Sequence, residues 1–371
     1  MCLYILFFLF LLLFAFVKKR NFVVGTFSIT FSNIFNVTFL FLILLVAFRG
    51  LSVGTDTLQY ENIYTFIANN KFNFSLDKCS APLYYTVNYV IGHFFQNGLC
   101  LRLIQACITY FCLYKLICKN HVNGFLALCL FVGEGWLACS MNISRQMLAI
   151  SIALYSIYLY TIEKRSLFSI LLFVSATLIH VSSLVIVVII FIKPIFSNKN
   201  DILVVFVSSV ILALFINSVF KYIIIIFSYY LQHYKSYTEK GQLLNLFEHK
   251  TTGNFFFVYL FYLSLVVTYV IKVKNRRYCF NKFSCVIFPF LTISMIIGLL
   301  NPFNEILYRF LIPSFVLVSL VFIPNLIDNL SYKERCIFLP VIILVTVLFF
   351  LYSLVVKNSG GIVPYNLIFF E

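Results

Sequence analysis

Long apolar stretches separated by short polar or basic breaks run the length of the chain. They fall near residues 2–17, 31–48, 101–118, 122–139, 147–162, 167–191 and 201–218, and again near 219–232, 254–271, 280–300, 306–327 and 336–356. Roughly 20 apolar residues cross the hydrocarbon layer as a helix. The pattern therefore predicts an all-α, polytopic integral membrane helical bundle of about 12 transmembrane helices, with a range of about 10 to 13. Two stretches fit less well. Residues 82–97, with Asn88 and His93, suit either a further span or a helix in the outer interface, and 219–232 is short and carries Lys221. So many passes use up most of the chain, which reads as a single transmembrane domain over 1–371 with external loops near 49–80 and 233–253. No fixed-period repeat or low-complexity tract points to a solenoid or a disordered tail.

Composition strengthens this reading. Hydrophobic residues make up 62% of the chain and charged ones 11%, with a mean hydropathy of +1.01, whereas a soluble domain is about half apolar and a quarter charged. The 46 Phe and 24 Tyr suit lipid-facing helices with aromatic rings at both interfaces. A net charge of +15 would suggest nucleic acid in a soluble protein, but the basic residues sit in short runs beside apolar segments. Such runs orient helices, and no nucleic-acid partner is expected. The runs are Lys18, Lys19 and Arg20; Lys164 and Arg165; Lys272, Lys274, Arg276 and Arg277; and Lys333 with Arg335. Placing all of them in the cytoplasm puts 49–80, 140–146, 233–253, 301–305 and the C-terminus outside. Residues 2–17 then read as an uncleaved first helix with its N-terminus outside, because the basic run follows the apolar stretch. Residues 233–253 carry both charge signs and read as a folded external loop. The 11 cysteines are scattered, without a CxxC pair or zinc-ligand spacing, so neither metal nor cofactor is expected.

Four places carry candidate chemistry. The first is Arg49-Gly50-Leu51-Ser52-Val53-Gly54-Thr55-Asp56-Thr57, with Tyr60 and Glu61, where the second apolar segment ends. Its guanidinium suits a phosphate at headgroup level and Asp56 a nearby base. The alternative is an Arg snorkelling to headgroups and an Asp capping the next helix. The second is Glu134-Gly135-Trp136 with Asn142, Ser144, Arg145 and Gln146. Asn142, Arg145 and Gln146 at i, i+3 and i+4 would share a helix face, and ionisable residues between apolar spans are expensive. Here the alternative is an Arg145–Glu134 ion pair tying two helices together. The third is His180, a lone titratable group in its span, suited either to accept a proton or to bond locally to Ser182 or Ser183. The fourth is Asn301-Pro302-Phe303-Asn304-Glu305 with Tyr308 and Arg309, where Glu305 and Arg309 at i, i+4 would otherwise simply pair. The chain has no DxD, GxxxxGK[ST] or HExxH motif, which argues against nucleotide-driven chemistry.

The stretches RGLSVGTDTLQY from Arg49 to Tyr60, ISRQMLAI around Arg145, LIHVSS around His180 and the late Tyr308-Arg309 resemble, in order and topology, the EpsG family of exopolysaccharide proteins. That family is related to the Wzy O-antigen and capsule polymerases. Residues 233–253 have no counterpart in it. The resemblance implies a metal-independent glycosyltransferase, multi-pass in the bacterial cytoplasmic (inner) membrane. It would join undecaprenyl-pyrophosphate-linked oligosaccharide repeat units at the outer face, with a chain-length regulator protein as a partner beside the lipid bilayer. Arg49, Arg145 and Arg309 would bind the pyrophosphate; His180, Asp56 and Glu134 are candidates for the base; and Tyr60, Asn142, Gln146 and Tyr308 would support them. The reading expects Arg49, Asp56, Arg145, His180 and Arg309 to converge on one cavity. A lipid-linked oligosaccharide flippase or other transporter would share the helix count and intramembrane Arg and His, and would show itself by repeated halves with Gly- or Pro-broken helices, of which the sequence gives no sign. A membrane acyltransferase or glycan ligase is the second alternative.

Overall fold

The computed structural model describes residues 1–16, 22–24, 27–29, 31–69, 81–195, 207–215, 260–268, 282–300 and 305–370. The basic runs 18–20 and 272–277, the loop 233–253, the segment 219–232 and the Asn301 to Asn304 stretch lie outside these residues. The regular elements of the described chain are helices and one short antiparallel hairpin, Phe22–Val24 paired with Phe27–Ile29. The chain is a membrane protein. Among the described residues five helices are long and apolar enough to cross a bilayer: Leu99–Asn120, Ser144–Glu163, Lys282–Leu300, Leu307–Asn329 and Tyr332–Val356. A sixth span results if the bent pair Gly124–Gly133 and Trp136–Asn142 counts as one. Shorter apolar helices include Cys2–Phe16, Ser32–Ala47 and Ser166–Ile179.

The chain divides into two compact units. Unit 1 comprises Met1–Phe72, Leu83–Tyr155 and Ser319–Glu371. Its helices are α1 (Cys2–Phe16), α2 (Phe31–Ala47), α3 (Thr57–Asn69), α4 (Pro82–Phe94), α5 (Leu99–Asn120), α6 (Gly124–Gly133), α7 (Trp136–Asn142) and α8 (Ser144–Tyr158), followed by Ile323–Asn329 and Tyr332–Leu351 near the C-terminus. Every residue of α6 from Phe125 to Gly133 is buried, as expected of a helix apolar all round and placed at the centre. Around it α1 packs through Phe14 against Phe125, with ring centroids 5.0 Å apart. Phe8 stacks on Phe350 at 4.2 Å, and α2 meets α5 through Phe39 and Tyr114 at 5.1 Å. In Tyr332–Leu351, Ile342, Ile343, Thr346 and Phe350 face inward, while Ile337, Val341, Leu344 and Leu348 form an exposed apolar stripe. An outward-facing stripe at helical period suits contact with lipid tails.

The two ends of unit 1 differ in chemistry. At one end Asn123 donates from its side chain to the Ala15 carbonyl at 3.1 Å and from its backbone to Asp328 Oδ2 at 3.1 Å. Arg335 donates to the Asp328 carbonyl at 2.8 Å and the Ile327 carbonyl at 3.1 Å, satisfying the last turn of Ile323–Asn329 where a cation is favoured. Ser331 and Glu334 form a capping box that starts the final long helix. The other end lies a helix length away along α5, whose 22 residues span about 33 Å, and it gathers the polar residues described below.

Unit 2 comprises Asn73–Pro82 and Ser156–Val318. Its described part includes the helices Ser166–Ile179, Val188–Ile195, Lys282–Leu300 and Glu305–Leu317. Tyr158 packs edge-on against Phe283 at 5.1 Å, and Tyr262 against Phe315 at 5.8 Å. The apolar stretch 167–191, expected as one span, is instead broken at His180. There the backbone turns extended (φ −156°, ψ 123°) before a 3-10 turn, Val181–Val187. Arg165, in the basic run that precedes Ser166–Ile179, is 65% exposed and pairs with Glu163 at 3.2 Å.

Candidate active site

The loop that follows α2 is held from three sides within unit 1. Gly54 stands at φ +94°, and a Cβ there would come within 2.8 Å of Thr57 Oγ1 and 3.3 Å of the Met141 carbonyl, so both backbone and space require glycine. Arg49 donates through Nε to Thr57 Oγ1 at 3.3 Å and through a terminal nitrogen to the Val46 carbonyl. The Thr57 hydroxyl in turn donates a hydrogen bond to the Val53 carbonyl at 2.6 Å. Arg49 is only 2% exposed. Its guanidinium faces inward and shapes the loop from behind, where the sequence suggested headgroup contact. Burial, and next the neighbouring Arg102 guanidinium, draw its pKa down to about 10, so it remains charged at neutral pH.

The second side is the Glu134 to Gln146 stretch. Asn142 Oδ1 accepts from the Thr55 hydroxyl at 2.7 Å and from the Asp56 backbone N–H at 2.9 Å. The first two sequence clusters thus meet, although 86 residues separate Asp56 from Asn142. Asp56 is half-buried; its carbonyl accepts the Tyr60 N–H at 3.0 Å, opening α3, and its carboxylate accepts from Thr55 at 3.2 Å. The expected common helix face of Asn142, Arg145 and Gln146 does not form. Ile143 (φ −94°, ψ 51°) separates α7 from α8, which releases Asn142 toward the loop. Gln146 is buried. Half-buried Arg145 lies over the Tyr84 ring at 5.3 Å, and its Nε has no hydrogen-bond partner among the described residues. Tyr84 in turn stands 6.4 Å from the Tyr60 ring. Tyr60, edge-on to Tyr84, and Arg145 over the Tyr84 face therefore form a series that borders the loop.

The third side is the C-terminal segment 358–368, which the sequence did not single out. Gly54 and Thr55 donate their N–H groups to the carbonyls of Gly361 at 2.9 Å and Gly360 at 3.0 Å. Gly50 donates to Asn366 at 2.8 Å, and Ile368 to Phe48 at 3.1 Å, framing a bridge between Arg49 and Leu367. Tyr365 reaches the Leu45 carbonyl with its hydroxyl at 2.9 Å. Asn358 stiffens the segment by exchanging bonds with Val363 at 2.7 and 2.9 Å. These contacts are mainly backbone to backbone, which explains why no side-chain motif announced them.

Two further residues of this end escaped the sequence reading or were quoted without a role. Arg102 donates to the Arg49 carbonyl at 3.1 Å and lies 3.9 Å from the Glu61 carboxylate, whose other oxygen accepts the Gly98 N–H at 2.8 Å. An arginine in the first turn of a candidate span was a usable signal.

Glu134 belongs to a different place in unit 1. It sits between α6 and α7, which bend by 64° at Gly135, a residue at φ +85° with open space around it. The Gly-broken helix that the sequence did not reveal is here, set by backbone conformation rather than crowding. Trp136 Nε1 donates to Glu134 Oε2 at 3.2 Å and to Ser319 Oγ at 3.1 Å, and the Ser319 hydroxyl also donates to Glu134 Oε2. An ion pair with Arg145 does not form among the described residues.

In unit 2, His180 is half-buried at its break. Its Nδ1 accepts the Ser182 backbone N–H at 3.2 Å and lies 2.8 Å from the Ser182 hydroxyl, while Ser183 donates to the His180 carbonyl at 2.9 Å. Both local serine partners anticipated from sequence are present. With Nδ1 accepting that N–H, a neutral ring would carry its proton on Nε2. Tyr308 is half-buried with its ring 6.0 Å from Phe315, and Arg309 is exposed.

The structure therefore joins Arg49, Asp56, Tyr60, Asn142 and Arg145 at one end of unit 1, and gives His180, Tyr308 and Arg309 their own surroundings in unit 2. Comparison with known proteins adds one positive finding. The family model described as EpsG family matches residues 32–367. No curated protein and no solved structure matches the chain.

Proposed function

The chain belongs to the EpsG family, and from that premise we propose that it is a membrane polysaccharide polymerase acting on undecaprenyl-pyrophosphate-linked oligosaccharides at the outer face of the cytoplasmic membrane. It works as one transmembrane domain of about 12 helices, with a chain-length regulator as partner. The observation that carries this reading is the meeting of the Arg49–Thr57 loop, Asn142 and the C-terminal segment at the end of unit 1 away from Arg335. Short basic segments resist export, so the end marked by Arg335 is cytoplasmic and the loop end faces outward, where lipid-linked repeat units await joining.

In the proposed reaction the hydroxyl at the non-reducing end of one repeat unit gives its proton to a base and forms a new C–O bond at the anomeric carbon of the growing glycan. The bond from that carbon to pyrophosphate breaks, and the lipid diphosphate leaves with the electron pair. Asp56, half-buried beside Asn142, is the base in this scheme. Arg145 and Arg309 neutralise the leaving diphosphate, Arg145 as a cation pre-oriented by Tyr84. His180, whose Nδ1 is engaged by Ser182, faces the departing diphosphate oxygen with Nε2 in this scheme and donates to it as charge builds there. Arg49 acts indirectly by fixing the loop.

The test is deletion of the gene followed by gel analysis of surface polysaccharide. A polymerase mutant still displays one repeat unit on its anchor, and Arg145→Ala should reproduce that pattern with protein level kept. Arg145→Lys should rescue poorly, because an ammonium lacks the bidentate fork. The helix breaks at Gly135 and His180 favour a second reading, a flippase for the same lipid-linked unit. Its mutant would export nothing, and full polymer length in Arg145→Ala would remove that residue from the site.

A further inference from the structure

The inward face of α4 carries buried polar atoms that the loop contacts leave over. Tyr84 is 2% and Asn88 0% exposed, and the two stand one helical turn apart. Asn88 donates from its side-chain amide to the Tyr84 backbone carbonyl at 2.6 Å. Its side-chain oxygen is buried without a hydrogen-bond partner among the described residues, and so are the Tyr84 hydroxyl and Arg145 Nε. Asn88 and Gln105 neighbour that hydroxyl, but neither meets it with bonding geometry. Arg145 lies over the Tyr84 ring at 5.3 Å, so the three atoms cluster around a single ring. Tyr60, four residues beyond Asp56, stands edge-on to that ring and places the cluster beside the loop.

Buried polar groups are almost always hydrogen-bonded, because leaving them unpaired is costly. The donor set states what can pair with these. Arg145 Nε only donates, Asn88 Oδ1 only accepts, and the Tyr84 hydroxyl does both. A group that both gives and accepts a hydrogen bond satisfies all three. A hydroxyl does so, whereas a diphosphate oxygen only accepts and would leave Asn88 Oδ1 unpaired. We propose that Tyr84, Asn88 and Arg145 Nε form a recognition subsite for a neutral hydroxyl of the lipid-linked oligosaccharide. The inference rests on that oligosaccharide being the ligand, and it serves polymerase and flippase alike. The saccharide hydroxyl accepts from Arg145 Nε and donates to Asn88 Oδ1, with Tyr84 completing the set, and the other guanidinium nitrogens of Arg145 stay available to the diphosphate. Water offers the same donor and acceptor, so the test separates the two sources.

The full chain in detergent is titrated with lipid-linked oligosaccharide extracted from the gene-deletion strain, and thermal unfolding is followed through Trp136, the only tryptophan of the sequence. A ligand of the folded state raises the midpoint with its concentration. Tyr84→Phe keeps the ring beneath Arg145 and removes the hydroxyl; Asn88→Leu keeps the volume and removes the acceptor. Each should weaken oligosaccharide binding about five- to tenfold, while the midpoint without ligand stays level or rises, since an unpaired buried group is gone. Undecaprenyl pyrophosphate without saccharide should bind parent and variants alike. Parental affinity in both variants overturns the proposal. If their ligand-free midpoints also fall, the hydroxyl held here is that of a bound water. Equal weakening of the bare lipid diphosphate overturns it too, by placing the diphosphate at these atoms. A parent that binds the oligosaccharide through these residues yet forms no polymer from it in liposomes upholds the subsite and refutes the polymerase reading. A parent that does not bind it refutes both.

Discussion

Two helix breaks invite comparison, the one at Glu134-Gly135 in unit 1 and the one at His180 in unit 2. Each interrupts an apolar stretch and places a titratable side chain at the interruption, yet they are built differently. The first relies on a glycine at φ +85° and bends the chain by 64°, and its acid is tied to Trp136 and to Ser319, 185 residues away. The second uses a non-glycine residue in extended conformation whose own ring caps the next turn through Ser182. One titratable group is thus bound into tertiary structure, while the other caps its own turn through Nδ1. An ionisable residue in a span is by default a functional hypothesis. The contrast shows that its partners, rather than its presence, decide between structure and chemistry.

The largest effect should come from removing the cover that the first break and the loop share. The C-terminal segment places Ser359 and Ile362 beside Gly135 and Leu137, and it supplies backbone partners to Gly50, Gly54 and Thr55. Ending the chain after Lys357 should abolish polymer while some protein persists in the membrane, as gel analysis and immunoblotting would reveal. Polymer of normal length from such a truncation would mean that the loop holds itself. Next in size is His180→Asn. The Asn oxygen can still accept the Ser182 N–H, so the turn survives while the ring N–H is lost, and activity should fall by about 10²-fold or more. A variant with near-normal activity would reduce His180 to a cap.

Gly135→Ala probes the backbone of the first break alone. Open space surrounds the position, so crowding contributes nothing, and the left-handed conformation should cost about 1–2 kcal/mol. Thermal unfolding followed through Trp136 would read this as a lowered midpoint. An unchanged midpoint would show that the break relaxes into a continuous helix at no cost.

Sequence legibility followed the same division. The all-helical membrane class was readable because hydrocarbon thickness writes itself into segment length. The Arg49, Asn142 and His180 clusters were readable because polar groups are conspicuous in apolar surroundings. The link between Asn142 and Asp56 was not, because it depends on the turn at Ile143, which no Gly or Pro announces. Nor was the C-terminal segment, whose contacts are backbone carbonyls and amides that every residue carries. Arg49 shows the opposite error: its residue type pointed to headgroup contact, whereas Thr57 and the Val46 carbonyl turn it inward.

The smallest effect, and the one that sharpens the comparison most, is expected of Glu134→Gln. Glu134 Oε2 accepts from both Trp136 Nε1 and the Ser319 hydroxyl, and a glutamine oxygen can accept the same two donors at the same place. Shape and volume are nearly kept, so no cavity opens against α6. What is lost is charge assistance: hydrogen bonds to a charged group contribute about 1.5–3 kcal/mol, against about 0.5–1.5 kcal/mol for a neutral pair. If Glu134 is a structural acceptor, polymerisation should stay within several-fold of the parent, while the emission of Trp136, whose indole N–H loses a charged partner, shifts. If Glu134 were instead the base, the amide could take no proton, and activity would drop by the 10² to 10⁴ expected of a missing general base, with protein level unchanged. Measured beside Asp56→Asn in the same membranes, the two variants separate the roles: a large loss in Asp56→Asn with a small one in Glu134→Gln supports Asp56 as base, and the reverse order moves the chemistry to the first helix break.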